Sequence, residues 1–362
     1  MVTRFDKFAL LFLLPVVFSA QINNVIENWE ADKDLKSATL SFCVLDAKSG
    51  EVVSELNSHQ YVIPASTLKV ITTGAALGTL GPTFRYSTKI FYTGSFNKET
   101  GVINGDLIIY GNGDPTLQSE NFSKDTNQVT DKWAQALKEK GIKEIKGKII
   151  GDASYFDRTI PGNWIWADIS NYFGVAPCGL SYNDNKFKIL YTSKEAGSKA
   201  NVDKIIPAYC NNTICINSNV ISKGTEDDAF VFGDPYSYIK EVRGKIPPNK
   251  TNFEVEAALP DPALLCAEKL STSLTRIGIK CNQKSVESNY KQTDSVVTKQ
   301  LIYSHLSPSL DKIIYYTNLS SINLYCESLV KTLGKGNSAK GIERIKKHFS
   351  ERGLDTDQLY MV

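Results

Sequence analysis

Histidine and methionine are scarce in this chain, with three and two residues among 362. The histidines His59, His305 and His348 lie far apart in the sequence, and no cysteine–histidine spacing of the zinc-binding kind occurs. A Gly-x-Ser-x-Gly elbow is also missing, which argues against a serine–histidine hydrolase. The net charge is only +2 and there is no dense basic run, so nothing favours a nucleic-acid partner.

Long apolar runs are missing except near the N-terminus. Arg4 and Lys7 begin that segment, residues 8–17 are largely apolar, and small residues follow. The pattern predicts a signal peptide over residues 1–20, because the apolar core is too short to span a bilayer comfortably. We therefore expect an exported, periplasmic protein. Of its seven cysteines, Cys210 and Cys215 are the best candidates for a disulfide.

One serine–lysine tetrad has the context of a catalytic nucleophile. Ser66-Thr67-Leu68-Lys69 follows a proline and an alanine, and it opens an alanine-rich helical run that stops at Gly81-Pro82. Five other Ser-x-x-Lys matches show how weak the bare motif is: Ser95/Lys98, Ser237/Lys240, Ser288/Lys291, Ser309/Lys312 and Ser328/Lys331.

Serine and lysine at this spacing suit acyl transfer. Residues three apart on a helix share a face, so Lys69 can reach the Ser66 hydroxyl. A buried lysine can lose its proton and act as the base that a weakly nucleophilic serine needs. The structural alternative is that Ser66 only caps the N-terminus of a core helix.

A Ser-x-Asn triplet supplies a second candidate group. Ser321-Ile322-Asn323 is predicted to begin a helix, whereas Ser95-Phe96-Asn97 and Ser181-Tyr182-Asn183 lie in turn-like sequence. Such a triplet accompanies Ser-x-x-Lys in penicillin-acylated serine enzymes. The alternative for Ser321 is again a plain helix cap.

Together these segments resemble the class C low-molecular-mass penicillin-binding proteins, the D-alanyl-D-alanine carboxypeptidase/endopeptidases of peptidase family S13. The two motifs lie 321 − 66 = 255 residues apart, which fits the family's large insertion. The remaining matching segments are Gly81-Pro82-Thr83-Phe84-Arg85, Gly105-Asp106-Leu107, Gly113-Asp114-Pro115-Thr116-Leu117, Gly151-Asp152 and Trp164-Ile165-Trp166-Ala167-Asp168.

The resemblance implies an α/β (α+β) fold, a transpeptidase domain of the penicillin-binding-protein/β-lactamase type with large β-rich insertions. It divides the chain into the catalytic parts 21–85 and 291–362 and inserted domains over 86–290, the second insert at roughly 175–250.

The resemblance also assigns roles to individual residues. Ser66 is the acylated nucleophile, Lys69 its base, and Ser321 the relay that passes a proton to the leaving D-alanine. Asn323 holds the substrate amide, and Asp168 binds the substrate side chain. For Asp168 a structural surface acid is the alternative, and Trp164 and Trp166 are expected to serve packing.

One family element is not found where it is expected. A Lys-Thr-Gly strand should follow the Ser-x-Asn motif by about a hundred residues, but 362 − 323 = 39 residues follow Asn323. Lys48-Ser49-Gly50 lies before the nucleophile in a hairpin turn and is not a substitute. We therefore expect a C-terminally truncated chain with weak activity, since one lost oxyanion donor costs about 10²–10³ in rate.

The resemblance implies peptidoglycan stem peptides and cross-links as substrates, β-lactams as covalent inhibitors, and no metal or organic cofactor. Two other functions stay open. A β-lactamase-like hydrolase would turn over acylated penicillin rapidly, and a non-catalytic peptidoglycan-binding remnant would bind the wall without cleaving it.

Overall fold

The computed structural model describes residues 22–122, 128–282, 285–291 and 298–361. The predicted signal peptide, residues 1–20, lies outside the described residues. The chain divides into two compact units, Met1–Ser66 and Thr67–Val362. The predicted boundaries of the inserted domains stay predictions.

The first unit contains a helix and a β-hairpin. Helix α1 covers residues 22–31, and the strands are β1 (Phe42–Leu45) and β2 (Val52–Leu56), paired antiparallel. In the turn between them, an Asp46 carboxylate oxygen accepts hydrogen bonds from the backbone N–H groups of Lys48 (2.9 Å) and Ser49 (2.7 Å). Gly50 follows with φ of 75°, a conformation that glycine adopts without cost. Lys48-Ser49-Gly50 is therefore an ordinary glycine turn, as predicted.

The second unit contains the remaining helices and strands. Its helices are α2 (Leu68–Leu80), α3 (Val129–Glu139), α4 (Ala208–Thr213), α5 (Pro262–Arg276), α6 (Leu310–Leu319), α7 (Asn323–Leu333) and α8 (Ser338–Ser350). Its strands are β3 (Ser87–Tyr92), β4 (Ser95–Asn97), β5 (Val102–Asn104), β6 (Leu107–Tyr110), β7 (Glu144–Ile145), β8 (Ile149–Asp152), β9 (Lys186–Thr192), β10 (Asn201–Ile206), β11 (Cys215–Ser222), β12 (Asp228–Phe232), β13 (Ile239–Ile246), β14 (Phe253–Ala258), β15 (Lys280–Cys281), β16 (Val286–Asn289) and β17 (Gln300–Leu306).

These strands form four sheets among the described residues of the second unit, with orders β16-β8-β6-β3-β17, β15-β7-β5-β4, β10-β9-β14 and β11-β13-β12. The five-stranded sheet is mixed: β8 pairs in parallel with β6 and β16, while β3 pairs antiparallel with β6 and β17. Helices α3 and α5 pack apolar side chains, including Trp133 and Leu270, into the core that this sheet shares with β9 and β14. The mixed helix and sheet content agrees with the predicted α/β fold class.

A separate helical layer carries the candidate nucleophile helix. Ala75 and Ala76 of α2 pack against Leu329 and Val330 of α7. Small alanine side chains allow the two helix backbones to approach closely. Helix α2 ends at Leu80, and Gly81 caps it with φ of 81°. The predicted stop at Gly81-Pro82 is confirmed.

A buried carboxyl group lies in the Gly113–Leu117 segment. Asp114 is 1% exposed; one carboxylate oxygen accepts hydrogen bonds from Thr116 N (2.9 Å) and Oγ1 (2.6 Å). Within the described ranges, its Oδ2 has no hydrogen-bond partner. Desolvation by burial therefore raises the pKa of Asp114 to about 6.

We expect Asp114→Asn to remove a pH-dependent loss of stability. The unfolded carboxyl ionises near pH 3.9 and the folded one about two units higher, so the ionised form costs about 3 kcal/mol in the folded state. The free energy of unfolding of the parent should fall as pH rises from 4 to 6 and then level off. Urea unfolding at pH 4 to 7 should show the variant gaining about 3 kcal/mol relative to the parent. A difference that does not vary with pH would contradict the argument.

The structure also bears on the cysteines, the C-terminal residues and the lengths of the helices. All seven cysteines are free thiols; Cys210 is buried and Cys215 exposed, so the predicted disulfide is not formed. Residues 359–361, whose apolar sequence suggests a strand, are irregular. Within the described part of the chain, every helix is too short or too polar to cross a bilayer.

Candidate active site

Ser66 lies in a short 3₁₀ turn, Ala65–Thr67, directly before α2. The residue before it, Ala65, has φ of 46°, a left-handed conformation that costs a non-glycine residue about 1–3 kcal/mol. Ser66 itself is exposed, and the cap residue of α2 is Thr67. Ser66 thus lies one position before the assigned cap residue, and the choice between nucleophile and helix cap stays a prediction.

Lys69 is the second residue of α2 and is almost buried. Lys69 is only 8% exposed, and its Nζ donates a hydrogen bond to Ser321 Oγ at 3.3 Å. These two residues are 252 positions apart in the sequence. The fold thus brings the lysine of the first motif to the serine of the second.

Ser321 lies in the turn between α6 and α7 rather than at a helix start. Helix α7 begins at Asn323, and its cap residue is Ile322; the predicted helix start at Ser321 is wrong by two residues. The reason is the backbone of Ser321, which has φ of 53° and cannot continue a right-handed helix. Because Ile322 occupies the cap position, the interpretation of Ser321 as a helix cap is also wrong.

Asn323 is fixed by a distant loop. Its Nδ2 donates a hydrogen bond of 2.7 Å to the backbone carbonyl of Phe173. That bond orients the side-chain amide at the first turn of α7. Among the described residues, no donor reaches the amide oxygen, which is the group expected to receive a substrate N–H.

A cavity of about 270 Å³ opens beside Ser321 and Asn323. Its lining includes Asp184 and Lys186, and the Lys186 ammonium is paired with Glu256 at 3.0 Å. The pKa of Asp184 is raised because burial penalises its charged form. The remaining lining residues are Glu120, Asn121, Tyr172, Phe173, Val175, Ser320, Ile322 and Leu324.

Asp168 does not line this cavity. It is half-buried in the loop that precedes Phe173, and its backbone N–H donates to Ile165 O at 3.0 Å. No polar partner for its carboxylate occurs within the ranges that the structure describes. In the same loop Trp166 is 58% exposed, so the expectation that Trp166 serves packing is wrong.

Among the described residues, four of the five other serine–lysine tetrads have no lysine bonded to a distant serine, whereas Lys240 of the Ser237 tetrad donates to Ser170 Oγ at 3.2 Å. The tetrads of α6 and α7 illustrate the difference: Ser309 is the cap residue of α6, and Ser328, in the middle of α7, is fully buried with no partner for its hydroxyl in the described structure. Lys331 binds Asp157 instead. The Ser95 and Ser288 tetrads begin in strands β4 and β16.

Sequence reasoning missed two parts of the site. The Phe173 carbonyl is a backbone group, and a side-chain motif does not reveal it. Asp184 had a usable sequence signal, because it lies in the run Asn183-Asp184-Asn185. In the structure all three residues have positive φ, between 51° and 57°. Asn and Asp tolerate that conformation best after glycine, so such a run indicates a tight, specifically shaped segment.

The chain matches the model of the D-Ala-D-Ala carboxypeptidase 3 (S13) family over residues 22–362. It is 26% identical over 327 residues to D-alanyl-D-alanine carboxypeptidase DacB of Haemophilus influenzae, covering 89% of this chain and 64% of that protein. It is also 26% identical over 306 residues to penicillin-sensitive carboxypeptidase A of Dictyostelium discoideum, covering 79% of this chain and 55% of that protein.

A solved structure shows the same fold. The crystal structure of penicillin-binding protein 4 (dacB) from Haemophilus influenzae aligns with a TM-score of 0.66 and 23% identity, over 84% of this chain and 66% of that chain. The present chain thus spans less than two thirds of the length of these relatives. Since the family model matches the chain from residue 22 to residue 362, the chain belongs to the D-Ala-D-Ala carboxypeptidase 3 (S13) family.

Proposed function

We propose that this protein is a serine-type D-alanyl-D-alanine carboxypeptidase/endopeptidase of peptidoglycan that acts through an acyl-enzyme. The observation that carries the proposal is the Lys69 Nζ–Ser321 Oγ hydrogen bond of 3.3 Å. It joins two motifs that have no other evident reason to converge in the fold. Family membership and the relatives' names as carboxypeptidases support the same reaction.

The first half of the reaction forms the acyl-enzyme. The neutral amine of Lys69 takes the proton of Ser66 Oγ, and the oxygen attacks the carbonyl of the penultimate D-alanine. The tetrahedral intermediate collapses when the C–N bond breaks. Lys69, now an ammonium, donates to Ser321 Oγ, and Ser321 passes its own hydroxyl proton to the leaving amine. The proton lost by Ser66 is thereby balanced by the proton gained by the leaving amine: Lys69 becomes neutral again, Ser321 regains its hydroxyl, and D-alanine leaves with a neutral amine.

The second half returns the enzyme to its starting state. Water loses a proton to Lys69 and attacks the ester carbonyl, and Ser66 Oγ leaves with a proton from the same lysine. In cross-link cleavage the leaving amine belongs to a neighbouring stem peptide, and the steps are otherwise unchanged. A β-lactam would acylate Ser66 in the same way, because its strained amide takes the place of the peptide bond.

Two further groups orient the substrate in this proposal. The amide oxygen of Asn323 receives an N–H of the stem peptide, since its amide nitrogen is already held by Phe173 O. Asp168 pairs with a cationic substrate side chain at the edge of the exposed loop. The export signal predicted over residues 1–20 supports a periplasmic reaction, since peptidoglycan is found there.

Release of D-alanine from a peptide ending in D-Ala-D-Ala tests the proposal. We expect release that is eliminated in Ser66→Ala, with the folded state checked by circular dichroism. Equal binding of peptidoglycan by the parent and Ser66→Ala, with no D-alanine released by the parent, would instead identify a non-catalytic wall-binding protein. Fast hydrolysis of penicillin without D-alanine release would identify a β-lactamase-like hydrolase.

A further inference from the structure

The loop over residues 165–174 supplies the carbonyl that fixes Asn323, yet it is not held by burial of its large side chains. Ile165, Trp166 and Tyr172 are 59%, 58% and 51% exposed. A loop with its apolar side chains in solvent needs other contacts to hold one conformation. Some of those contacts come from the inserted sheet β11-β13-β12, and Ala258 N of β14 donates a further hydrogen bond of 2.9 Å to Ser170 O.

Asn171 joins the loop to strand β12 through its side-chain amide, which bonds to both backbone polar groups of one β12 residue. Its amide oxygen accepts from Val231 N at 2.9 Å, and its amide nitrogen donates to Val231 O at 3.2 Å. The same nitrogen donates to Ala167 O within the loop. Asn171 is only 3% exposed, so the loss of these bonds would leave buried backbone groups of β12 without partners.

Ser170 and Lys240 form a second connection beside Asn171. The Ser170 hydroxyl donates to Gly233 O at 2.8 Å, just beyond β12. Lys240 of β13 donates from Nζ to Ser170 Oγ (3.2 Å) and to Asp234 O (2.6 Å). Ser170 and Lys240 are both fully buried. A buried lysine that binds a serine hydroxyl and a backbone carbonyl in this way ties the loop to the turn after β12.

The connection continues from Asn171 to Asn323 through a single peptide group. Gly174 N donates to Asn171 O at 3.0 Å, and this N–H belongs to the same planar peptide as the Phe173 carbonyl. That carbonyl accepts from Asn323 Nδ2 at 2.7 Å. Asn171 therefore holds the N–H of this peptide group, and Asn323 donates a hydrogen bond to its carbonyl.

We propose that the inserted sheet β11-β13-β12 positions Asn323 for catalysis, with Asn171, Ser170 and Lys240 as the positioning residues. None of the three touches Asn323 directly in the bonds described above. The structural coupling stands on the hydrogen bonds alone; only its effect on catalysis rests on the proposed function.

Side-chain NMR of the full chain labelled with ¹⁵N-asparagine tests the coupling without requiring activity. The Asn323 amide signal is identified by its loss in Asn323→Asp. We expect its hydrogen exchange to quicken about tenfold in Asn171→Ala and in Lys240→Met, the effect of losing one or two net hydrogen bonds. Ser170→Ala, a milder change, should give a smaller increase of the same sign.

Tyr191→Phe is the matched control. It removes a partly buried hydrogen bond between the Tyr191 hydroxyl of β9 and Ser218 Oγ of β11 (3.1 Å) but none in the 165–174 loop. We expect unchanged exchange of Asn323 in this variant. The proposal is overturned when Asn171→Ala and Ser170→Ala fold and quicken exchange of the loop backbone but leave Asn323 unaltered, or when Tyr191→Phe alters it equally.

Acylation supplies a second readout. If the proposed function holds, the loop variants should slow acylation by penicillin at equal thermal stability, whereas Tyr191→Phe should not. A parent that fails to acylate refutes the function, and the Asn323 exchange still decides the coupling.

Discussion

Replacing Lys69 with methionine should slow acylation of Ser66 by a fluorescent penicillin about 10³-fold, within the range that a positioned general base contributes. Methionine keeps most of the buried stem volume, so the fold should survive. What is lost is the amine that takes the Ser66 proton and the donor to Ser321 Oγ. The measurement is the time course of labelling at saturating probe.

Lys98→Met is the matched control for that experiment. Lys98 is the exposed lysine of another Ser-x-x-Lys tetrad, so its loss should leave labelling unchanged. Equal labelling rates for Lys69→Met and the parent would remove Lys69 from the mechanism.

Asp157→Ala should destabilise the folded protein by about 3 kcal/mol, the low end for breaking a buried ion pair. The Lys331 side chain is 2% exposed and pairs with Asp157 at 2.8 Å. It retains bonds to the carbonyls of Asp157 and Thr159, but its charge would lie unpaired in the interior. Urea unfolding at neutral pH measures the loss.

An exposed ion pair provides the comparison for Asp157. Lys148 and Glu287 pair at 2.7 Å with side chains about half exposed, so Glu287→Ala should cost less than about 1 kcal/mol. The double variant Asp157→Ala/Lys331→Met should recover part of the loss, because the buried Lys331 ammonium is then removed as well. Equal costs for Asp157→Ala and Glu287→Ala would show that Lys331 is not the reason.

Acid titration adds a check on the same pair. Hydrogen bonding and charge attraction from Lys331 lower the pKa of Asp157 against the opposing effect of burial. The pair therefore stabilises the fold above the unfolded carboxyl pKa of about 3.9 and loses its effect as pH falls through the lower folded value. Asp157→Ala should accordingly reduce the decline in stability below pH 4.

The residues that could be found from sequence are those whose side chains carry the chemistry. Ser66, Lys69, Ser321 and Asn323 were identifiable because their motifs restrict residue type and spacing. Their catalytic roles stay predictions, although the structure brings Lys69 to Ser321. The end of helix α2 was also readable, since glycine is suited to the positive φ of 81° that Gly81 adopts at the cap.

The parts that sequence could not reveal depend on backbone geometry. The turn at Ser321 has a left-handed conformation that serine rarely adopts, so a regular helix start was the reasonable but incorrect expectation. The Phe173 carbonyl acts through a group that every residue has. Trp166 was expected to pack because aromatic residues usually do, but its loop is held by buried polar bonds instead.

The most direct test of the central claim is the location of a penicillin adduct. The chain is incubated with a penicillin, and the acylated residue is identified by mass spectrometry of its peptides, with Ser66→Ala as the control. We predict a single adduct on Ser66 that is missing in Ser66→Ala and greatly reduced in Lys69→Met. An adduct on another serine, or one that persists in Ser66→Ala, would contradict the account.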